Sequence, residues 1–307
     1  MRDDSSERRR ATPQPASPPG AAPVQHDLFG PPEPGPPAPR PPAAPARRAA
    51  PGAIRVGTSG YSFADWIGPF YPPGTARGAM LPFYDRHFNT VEINATYYRI
   101  PPPATLERMG ARTSDDFRFM VKLPGDLTHK RETLAQPARA FREAISPLRE
   151  QGKFAGALAQ FPYRFRRSTA AEDYLARLRA ALPALPLFAE FRHASWDRPD
   201  LGPRLAELGY GFCSIDEPDL RGLIPQRAEL VGDVAYVRLH GRNARDWWGG
   251  GSERYNYLYR REELEEWAGL VRGLAREAQR TYVFFNNCHA GHAVVNARML
   301  EELLDLA

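Results

Sequence analysis

The stretch Val234-Ala-Tyr-Val-Arg-Leu-His240 is the clearest guide to the fold. In a β-strand, residues i and i+2 share a face. Arg238 and His240 therefore project to one side, and Val237 and Leu239 project to the other. Apolar residues on one face, with charged residues on the other near the C-terminal end, are typical of a strand in an α/β barrel. The outer face of such a strand packs on helices, and the upper end of its inner face forms the active site.

Seven further stretches have the same character, and segments with the spacing of amphipathic helices separate them. Strands that alternate with helices predict a parallel sheet, and eight such units in about 250 residues predict a single (β/α)8 barrel of the TIM type. The predicted strands are Ile54–Ser59, Thr90–Thr96, Phe117–Leu123, Gly156–Phe161, Leu187–His193, Tyr210–Ile215, Val234–His240 and Thr281–Asn286.

The alternative fold is an open, doubly wound sheet. That fold normally carries a glycine-rich fingerprint after its first strand, and Gly57-Thr-Ser-Gly60 does not have the required spacing. Two connections of the barrel are weakly marked. Residues 101–114 predict only a short helix, and residues 217–232 predict mostly loop.

The N-terminal segment differs in composition from the rest of the chain. Residues 1–51 contain 15 of the 32 prolines, and they are predicted to be a disordered tail ahead of a barrel domain at 52–307. No run of 18 apolar residues exists, so no helix is predicted to span a membrane. Two cysteines, Cys213 and Cys288, cannot form a disulfide framework, and a reduced cytoplasmic protein is predicted. The net charge of +5 reflects a chain with 38 arginines and three lysines, and it does not by itself indicate a nucleic-acid partner.

Polar side chains follow nearly every predicted strand, and Glu92 with Asn94 and Glu190 with Arg192 are expected to share the inner face. Because barrel active sites lie at the C-terminal ends of the strands, these side chains are expected to meet there. Asn286 is expected to donate a hydrogen bond to a developing oxyanion. The predicted catalytic residues are Glu92, Lys122, Glu190, His193, His240 and Asn286.

Several roles are open for these residues. Glu190 or Glu92 is a candidate general base and His240 or His193 a candidate acid, because both residue types can be tuned toward neutral pH by burial. Lys122 either pairs with a phosphate or, if it is desolvated, acts as an amine nucleophile. A metal site built from the two glutamates and the two histidines has no local motif to support it. We therefore predict no cofactor.

Positive side chains outnumber negative ones at the predicted strand ends by six to three. This surplus predicts an anionic ligand, such as a phosphate, a carboxylate or a nucleic-acid backbone. The alternative is a buried ion network in which Arg192 and Arg238 neutralise the two glutamates. The six are Lys122, Arg192, His193, Arg238, His240 and Arg242, and the three are Glu92, Glu190 and Asp216.

The chain resembles the YecE-like family, also called domain of unknown function 72. This resemblance implies a TIM barrel and implies no reaction. Cys288 stands where the family commonly has an acidic residue, which puts any catalytic role of that position in doubt. The matching stretches are Val56–Tyr61 with Asp65-Trp66, Gly68–Pro72, Phe88–Asn94 with Tyr97–Arg99, Phe117–Pro124, Leu127–Arg131, Phe188–His193 with Ser195-Trp196, Tyr236–Arg242, Phe284–Asn287 and Ala293 to Ala297.

Aromatic and polar residues around these stretches are expected to contact the substrate. Gly249-Gly-Gly251, preceded by Trp247-Trp248, reads either as a mobile lid that stacks on a sugar or base or as a loop that packs on the rim. The predicted substrate-binding residues are Tyr61, Trp66, Asn94, Tyr97, His129, Arg192, Arg238, Arg242 and Trp247.

A short motif in the tail suggests a partner. Gln25-His-Asp-Leu-Phe29 resembles the peptide with which bacterial proteins bind the replication sliding clamp. In that resemblance Gln25 makes polar contacts, and Leu28 and Phe29 fill a hydrophobic groove. The alternative is a chance apolar pair in a disordered segment.

These observations predict an enzyme, a hydrolase or lyase acting on a phosphate-bearing substrate at the barrel mouth. If the tail motif functions, the substrate is a nucleic acid or nucleotide. A non-catalytic replication or repair module recruited by the tail is one alternative. A carbohydrate-active enzyme is another, supported by the aromatic rim and the paired carboxylates.

Overall fold

All eight predicted strands are present and close into one barrel. The computed structural model describes residues 53–306. Neighbouring strands pair in parallel in chain order, and β8 pairs with β1 to close the sheet. The prediction of a single TIM-type (β/α)8 barrel is therefore confirmed. The strands are β1 (Ala53–Ser59), β2 (Thr90–Ile93), β3 (Arg118–Lys122), β4 (Phe154–Gln160), β5 (Leu187–Glu190), β6 (Gly211–Asp216), β7 (Val234–Leu239) and β8 (Arg280–Phe285).

Helices follow most of the strands and cover the outside of the barrel. The weakly marked stretch 101–114 contains α2, whereas residues 217–233 between β6 and β7 contain no helix, as predicted. No helix in this described part of the chain is long and apolar enough to cross a bilayer. The predicted tail and its clamp-like peptide lie outside the described residues. The helices are α1 (Arg77–Tyr84), α2 (Pro103–Ala111), α3 (Ala135–Glu150), α4 (Thr169–Ala181), α5 (Leu201–Glu207), α6 (Arg261–Glu277) and α7 (His292–Leu303).

Aromatic rings fill the lower part of the lumen. Phe188 packs edge-on against Tyr236, which packs in turn against Phe284, with centroids 5.2 and 5.5 Å apart. Two glycines make room for Phe188: a Cβ at Gly156 would lie 2.6 Å from the ring, and one at Gly211 would lie 2.5 Å from it. The lumen is therefore a packed core, and a ligand can reach it only from the C-terminal end.

Four strands are shorter than predicted, and the largest differences are at β2 and β5. β2 ends at Ile93 and β5 ends at Glu190, three residues before the predicted ends at 96 and 193, and a short 3₁₀ helix follows each strand. β3 is shorter by one residue at each end, and β7 by one residue at its C-terminal end. Thr96 caps the turn after β2 by donating its hydroxyl to the Lys122 carbonyl at 2.6 Å. Side chains expected at the strand ends consequently lie in rigid loops just above them.

Candidate active site

An arginine on β7 joins carboxylates from two other strands across the lumen. Arg238 donates from Nε and Nη2 to the two oxygens of Glu92, both at 2.8 Å, and from Nη1 to Glu190 Oε2 at 2.5 Å. Tyr236 also donates its hydroxyl to Glu92. All four side chains are buried. Burial opposes the charge on Arg238, but the two carboxylates hold its pKa well above the usual value.

The network continues upward to the mouth through Arg192. Its Nη2 lies 2.6 Å from Glu190 Oε1, and its Nη1 donates to Glu217 Oε2 at 2.6 Å. Burial raises the pKa of Glu217 to about 8 against the opposing effect of Arg192. Burial also favours a raised pKa for Glu190, but the positive charges of Arg192 and Arg238 outweigh it and hold the pKa well below the usual range. At neutral pH the network therefore contains an ionised Glu190 and a largely protonated Glu217.

His240 and Asn286 form a polar pair beside this network. Asn286 Nδ2 lies 2.9 Å from His240 Nδ1, and His240 Nε2 lies 3.5 Å from Glu190 Oε1. Burial, followed by the charge of Arg192, lowers the pKa of His240 well below its usual value. Arg192 Nη2 lies 3.0 Å from His240 Nε2 and can only donate, so Nε2 accepts this hydrogen bond. The ring proton is then on Nδ1, with the Asn286 amide turned so that its oxygen accepts. His240 is thus a neutral hydrogen-bonding group near pH 7.

The six-to-three surplus of cations does not persist as free charge. Arg192 and Arg238 are balanced by the glutamates they contact, and Arg242 pairs with Asp216 at 2.6 Å. The buried ion network that the sequence left as an alternative is present in the structure. The other three of the six predicted cations are His193, His240 and Lys122. The pKa of each is lowered, and burial is the largest cause in every case.

Glu92 presents no free oxygen, whereas Glu190 Oε1 is ion-paired with Arg192 but has no hydrogen-bond partner among the described residues. Both oxygens of Glu92 accept from Arg238, and those of Glu190 contact Arg192 and Arg238. A glycosidase needs one carboxyl that delivers a proton and one that attacks or activates water. The geometry instead places both glutamates in charge-balancing positions.

Lys122 differs from the other charged residues of the lumen. It ends β3 on the lumen face, because Met120, two residues earlier, is level with Glu92 of β2. No carboxylate among the described residues lies within 4 Å of its amino group, which lies 4.7 Å from the centroid of the Tyr97 ring. Burial, reinforced by nearby Arg238, lowers the pKa of Lys122 to about 7. A substantial fraction of the amine is therefore uncharged at neutral pH.

Tyr97 and His129 form a wall beside this amine. Their rings meet edge to face with centroids 4.8 Å apart, and His129 Nδ1 lies 3.0 Å from the Thr128 hydroxyl. Burial, followed by the charge of Lys122, lowers the pKa of His129 to about 3, so the ring is neutral. Both residues also line a cleft of about 730 Å³ that opens between the loops after β2 and β3. The structure thus brings Lys122, Tyr97 and His129 together, as predicted.

Several polar atoms at the upper end of the barrel are buried and lack a partner among the described residues. Buried polar atoms in proteins normally have a hydrogen-bond partner, so such a group indicates a place where a ligand or water binds. The atoms come from the ends of four different strands. They are Ser59 Oγ, Asn94 Oδ1, Arg192 Nε and Glu217 Oε1.

Three residues predicted to take part in the site make contacts within the loops at the C-terminal end of the barrel. Trp66 is fully buried and donates its indole N–H to the Cys288 carbonyl at 2.8 Å, so it ties two loops together. Tyr61 is also buried, and its carbonyl accepts from Tyr71 at 2.5 Å. His193 accepts through Nδ1 from the backbone N–H two residues further on. These side chains hold loop structure, which the residue pattern could not distinguish from ligand contact.

Trp247 and Trp248, which precede the three glycines at 249–251, lie in different environments. Trp247 is 2% exposed, and Arg192 and Arg254 approach its ring at 5.8 and 5.0 Å from the centroid. Trp248 is 46% exposed and meets Tyr163 edge to face at 4.8 Å. Trp247 therefore packs on the rim and orients Arg192, whereas Trp248 offers an open aromatic face.

Glu217 is the main site residue that the sequence reasoning missed. It directly follows Asp216 at the end of β6, and this position could have indicated a place in the site. Residues 217–232 were predicted to be mostly loop, so Glu217 was not assigned to the site. Arg254 was missed as a neighbour of Trp247 because it lies beyond the glycines.

The metal and thiol candidates can also be placed. No three His, Cys, Asp or Glu residues in the described range 53–306 lie together in a way that could hold a metal ion, and this includes the two glutamates and two histidines that the sequence analysis considered without support. Cys288 is buried, and burial raises the pKa of its thiol well above the usual value. It is therefore a packed thiol, and its Sγ lies 3.4 Å from the Ser59 carbonyl.

Comparison with known proteins identifies relatives over the whole barrel. The chain is 31% identical to the UPF0759 protein YunF of Bacillus subtilis over 271 residues, which cover 82% of this chain and 95% of the relative. A solved DUF72 family protein from Thermotoga maritima is 40% identical, with a TM-score of 0.77, covering 82% of this chain and 99% of that one. Another from Enterococcus faecalis is 26% identical, with a TM-score of 0.75, covering 83% and 96%.

The family model described as "Protein of unknown function DUF72" matches residues 55–307. This range contains every element of the barrel except the first two residues of β1. The mouth network, the amine at the end of β3 and the neutral histidines therefore all lie within the matched region. The chain belongs to the DUF72 family.

Proposed function

We propose that this protein is an enzyme, a lyase in which the amine of Lys122 reacts with the carbonyl group of an anionic substrate at the mouth of the barrel. The observation that carries the proposal is that this lumen amine has no carboxylate partner in the described chain, while the neighbouring glutamates are fully engaged. A lysine desolvated next to another cation is the arrangement that activates an amine as a nucleophile. The Lys122 side chain is also partly exposed, so a substrate at the mouth can reach the amine.

The chemistry follows from the protonation states. The uncharged amine adds to the carbonyl carbon, and the carbinolamine loses water to give an imine. The protonated imine acidifies the C–H bond of the adjacent carbon. Water at the mouth takes that proton, and the resulting enamine expels the leaving group from the next carbon. Water then hydrolyses the remaining imine, which releases the product and frees Lys122. Glu217 is largely protonated at neutral pH and has one buried oxygen without a partner, so it is the candidate acid for the departing group.

The other mouth residues have supporting roles in this proposal. Asn94 Oδ1 and the imidazole of His129 are placed to hydrogen-bond substrate hydroxyl groups near Lys122. Arg238 and Arg192 balance the charges of Glu92 and Glu190 at the floor, so neither carboxylate is left to serve as a counter-ion for the amine.

A reductive trapping experiment tests the proposal. The intact protein is mixed with sodium cyanoborohydride and one of three anionic carbonyl compounds: pyruvate, glyceraldehyde 3-phosphate, or an oligonucleotide with an aldehydic abasic site. A covalent adduct on Lys122, located by peptide mass spectrometry, is the expected result. The chain has only three lysines, so the assignment is direct.

Matched variants make the outcome decisive. Lys122→Met is expected to abolish the adduct. Lys130→Arg removes an exposed lysine paired with Asp126 at 2.8 Å, and it is expected to leave the adduct unchanged. Equal labelling of Lys122→Met and the wild type would show that the reactive amine is elsewhere and would refute the proposal.

A second candidate is a non-catalytic module recruited by the tail. The complete internal pairing of Glu92, Glu190, Arg192 and Arg238 favours it, because such a network also serves as a purely structural core. On this reading, neutralising Glu190 lowers the melting temperature and changes no ligand affinity. A Glu190→Gln variant with a normal melting temperature and lost ligand binding would contradict it.

A further inference from the structure

A second cleft, of about 520 Å³, lies outside the lumen between the loop after β3 and the beginning of α4. Five of its ten lining residues are basic, and none is acidic. The basic residues are Lys130, Arg131, Arg164, Arg166 and Arg177, which we call the basic groove.

Most of this charge is not neutralised by the protein. Lys130 pairs with Asp126, but within the described residues no carboxylate lies within 4 Å of any of the four arginines. α4 carries two carboxyl groups. That of Glu172 is taken by Arg167 and Arg204, both at 2.9 Å, and that of Asp173, one turn before Arg177, has no ion pair within 4 Å among the described residues. The basic groove therefore has the net positive charge that the lumen lacks.

The groove is built from anchored side chains. Arg131 has a φ of 59°, in the left-handed region that a branched or long side chain seldom adopts, and its guanidinium lies 5.0 Å from the Phe165 ring centroid. Its Nη1 donates to the Thr128 carbonyl at 2.8 Å. Arg164 donates to the His129 carbonyl at 3.2 Å, and the Arg177 guanidinium lies over the ring of Tyr174. Backbone strain and like charges held side by side are costs that a bound anion would offset.

The position of the groove relates it to the mouth. The loop that follows Lys122 supplies His129 to the cleft beside the amine and Lys130 to both clefts. Lys130 thus borders both clefts, so a ligand bound beside Tyr97 and His129 adjoins the basic groove. Arginine, with its planar fork of donors, suits phosphate esters best among common anions.

We infer that the basic groove binds the phosphate groups of the ligand. The identity of that ligand as the substrate rests on the proposed function, but phosphate binding in the groove does not. Two sources share this chemistry: the repeated phosphates of a nucleic-acid strand, and the single phosphate of a small phosphorylated compound.

The test uses the full chain and a charge-matched control. Arg164→Gln with Arg166→Gln removes two exposed groove arginines, and Arg108→Gln with Arg149→Gln removes two exposed arginines on α2 and α3 away from the groove. Binding of ribose 5-phosphate, inorganic pyrophosphate and a short single-stranded oligonucleotide is measured by calorimetry over a range of salt concentrations. Melting temperatures confirm that both variants fold.

Oligonucleotide binding that is retained in the control and lost or weakened in the groove variant assigns the groove to a nucleic-acid backbone. In that case the slope of log K against log salt falls by about 1.4, because each single-strand phosphate contact contributes about 0.7. Binding of the small phosphate compounds alone, again lost only in the groove variant, assigns it to a phosphorylated metabolite.

Equal affinities in the groove variant and the control for every probe would overturn the inference, as would a wild-type protein that binds none of the probes. Lys122→Met separates the two proposals, since it is expected to bind phosphate normally while forming no covalent adduct. If the adduct forms at Lys122 but the groove does not bind phosphate, the groove inference is wrong. If the groove binds phosphate but no adduct forms, the proposed function is wrong.

Discussion

Replacing Arg238 by methionine is expected to destabilise the barrel by about 5 kcal/mol. The side chain is 1% exposed and gives three hydrogen bonds to two carboxylates that are themselves fully buried. Removing one partner of a buried ion pair costs about 3–5 kcal/mol because the other charge is left uncompensated, and here two charges are affected. Glu92→Gln, which leaves Arg238 paired with Glu190, is expected to cost about 3 kcal/mol.

The decisive quantity is the effect of Glu92→Gln in the Arg238→Met background. There Glu92 is a buried charge without a counter-ion, so neutralising it is expected to be neutral or stabilising, and the double variant costs about 5 kcal/mol. The two single values sum to about 8, which gives a coupling energy of about 3 kcal/mol. The destabilisation caused by Glu92→Gln thus falls from about 3 kcal/mol in the wild type to about zero in the Arg238→Met background.

Urea unfolding followed by tryptophan fluorescence provides the measurement. Because domain stabilities are about 5–15 kcal/mol, trimethylamine N-oxide is added at one concentration to all four proteins to keep Arg238→Met folded. If Glu92→Gln destabilises both backgrounds by the same amount, the two residues do not form a coupled pair. The reasoning about the lumen network would then be refuted.

The remaining predictions concern protonation, packing and recruitment. The rate of adduct formation at Lys122 is expected to rise with pH, with a midpoint at about 7, where the amine loses its proton. The turnover of a true substrate is expected to fall above about pH 8, because Glu217 then ionises. Glu217→Gln is expected to lower turnover and remove the upper limb, and an unchanged profile would exclude Glu217 as the acid. The free energy of unfolding is expected to fall as the pH drops below 4.5, the ordinary pKa of a glutamate. The pKa of Glu190 is depressed in the folded protein, so its ionised form stabilises the fold and protonation removes that contribution. A constant free energy of unfolding from pH 6 to pH 3 would contradict this. Trp66→Phe is expected to cost about 2–3 kcal/mol through the lost hydrogen bond to the Cys288 carbonyl, with unchanged trapping at Lys122. Leu28→Ala with Phe29→Ala is expected to abolish capture of a purified sliding clamp by the full chain, and equal capture by both proteins would remove the tail from consideration.

The fold was largely predictable because barrel strands carry a local signal. Alternation of apolar and polar residues at period two, with helical periodicity between strands, depends only on neighbours along the chain. Strand ends were less predictable: β2 stops at Ile93, whereas the predicted strand continued to Thr96. Where the chain turns depends on caps such as the Thr96 hydroxyl on the Lys122 carbonyl, which joins residues 26 apart.

The site was predictable in its location and in part of its composition. Glu92, Glu190, Arg192, Arg238, His240 and Asn286 meet as the strand alternation indicates. Trp66 and Tyr61 were not separable from ligand-binding aromatics, because the sequence does not show whether an indole N–H faces a carbonyl or a ligand. Glu217 lies in a segment without periodicity, and only its burial against Arg192 distinguishes it from a loop carboxylate.

The sequence by itself determined the eight strands, the single barrel and the end of the barrel at which charged residues collect. These follow from side-chain alternation and chain connectivity, which are local properties. Only the tertiary structure decided which charges cancel. Arg238 meets Glu92 from 146 residues away and Glu190 from 48, so the pairing exists only after the barrel closes. When the barrel closes, the lumen arginines pair with carboxylates and the apparent cation surplus disappears. The Lys122 amine has no counter-ion in the described chain. The arginines that carry unneutralised positive charge are those of the basic groove, outside the lumen.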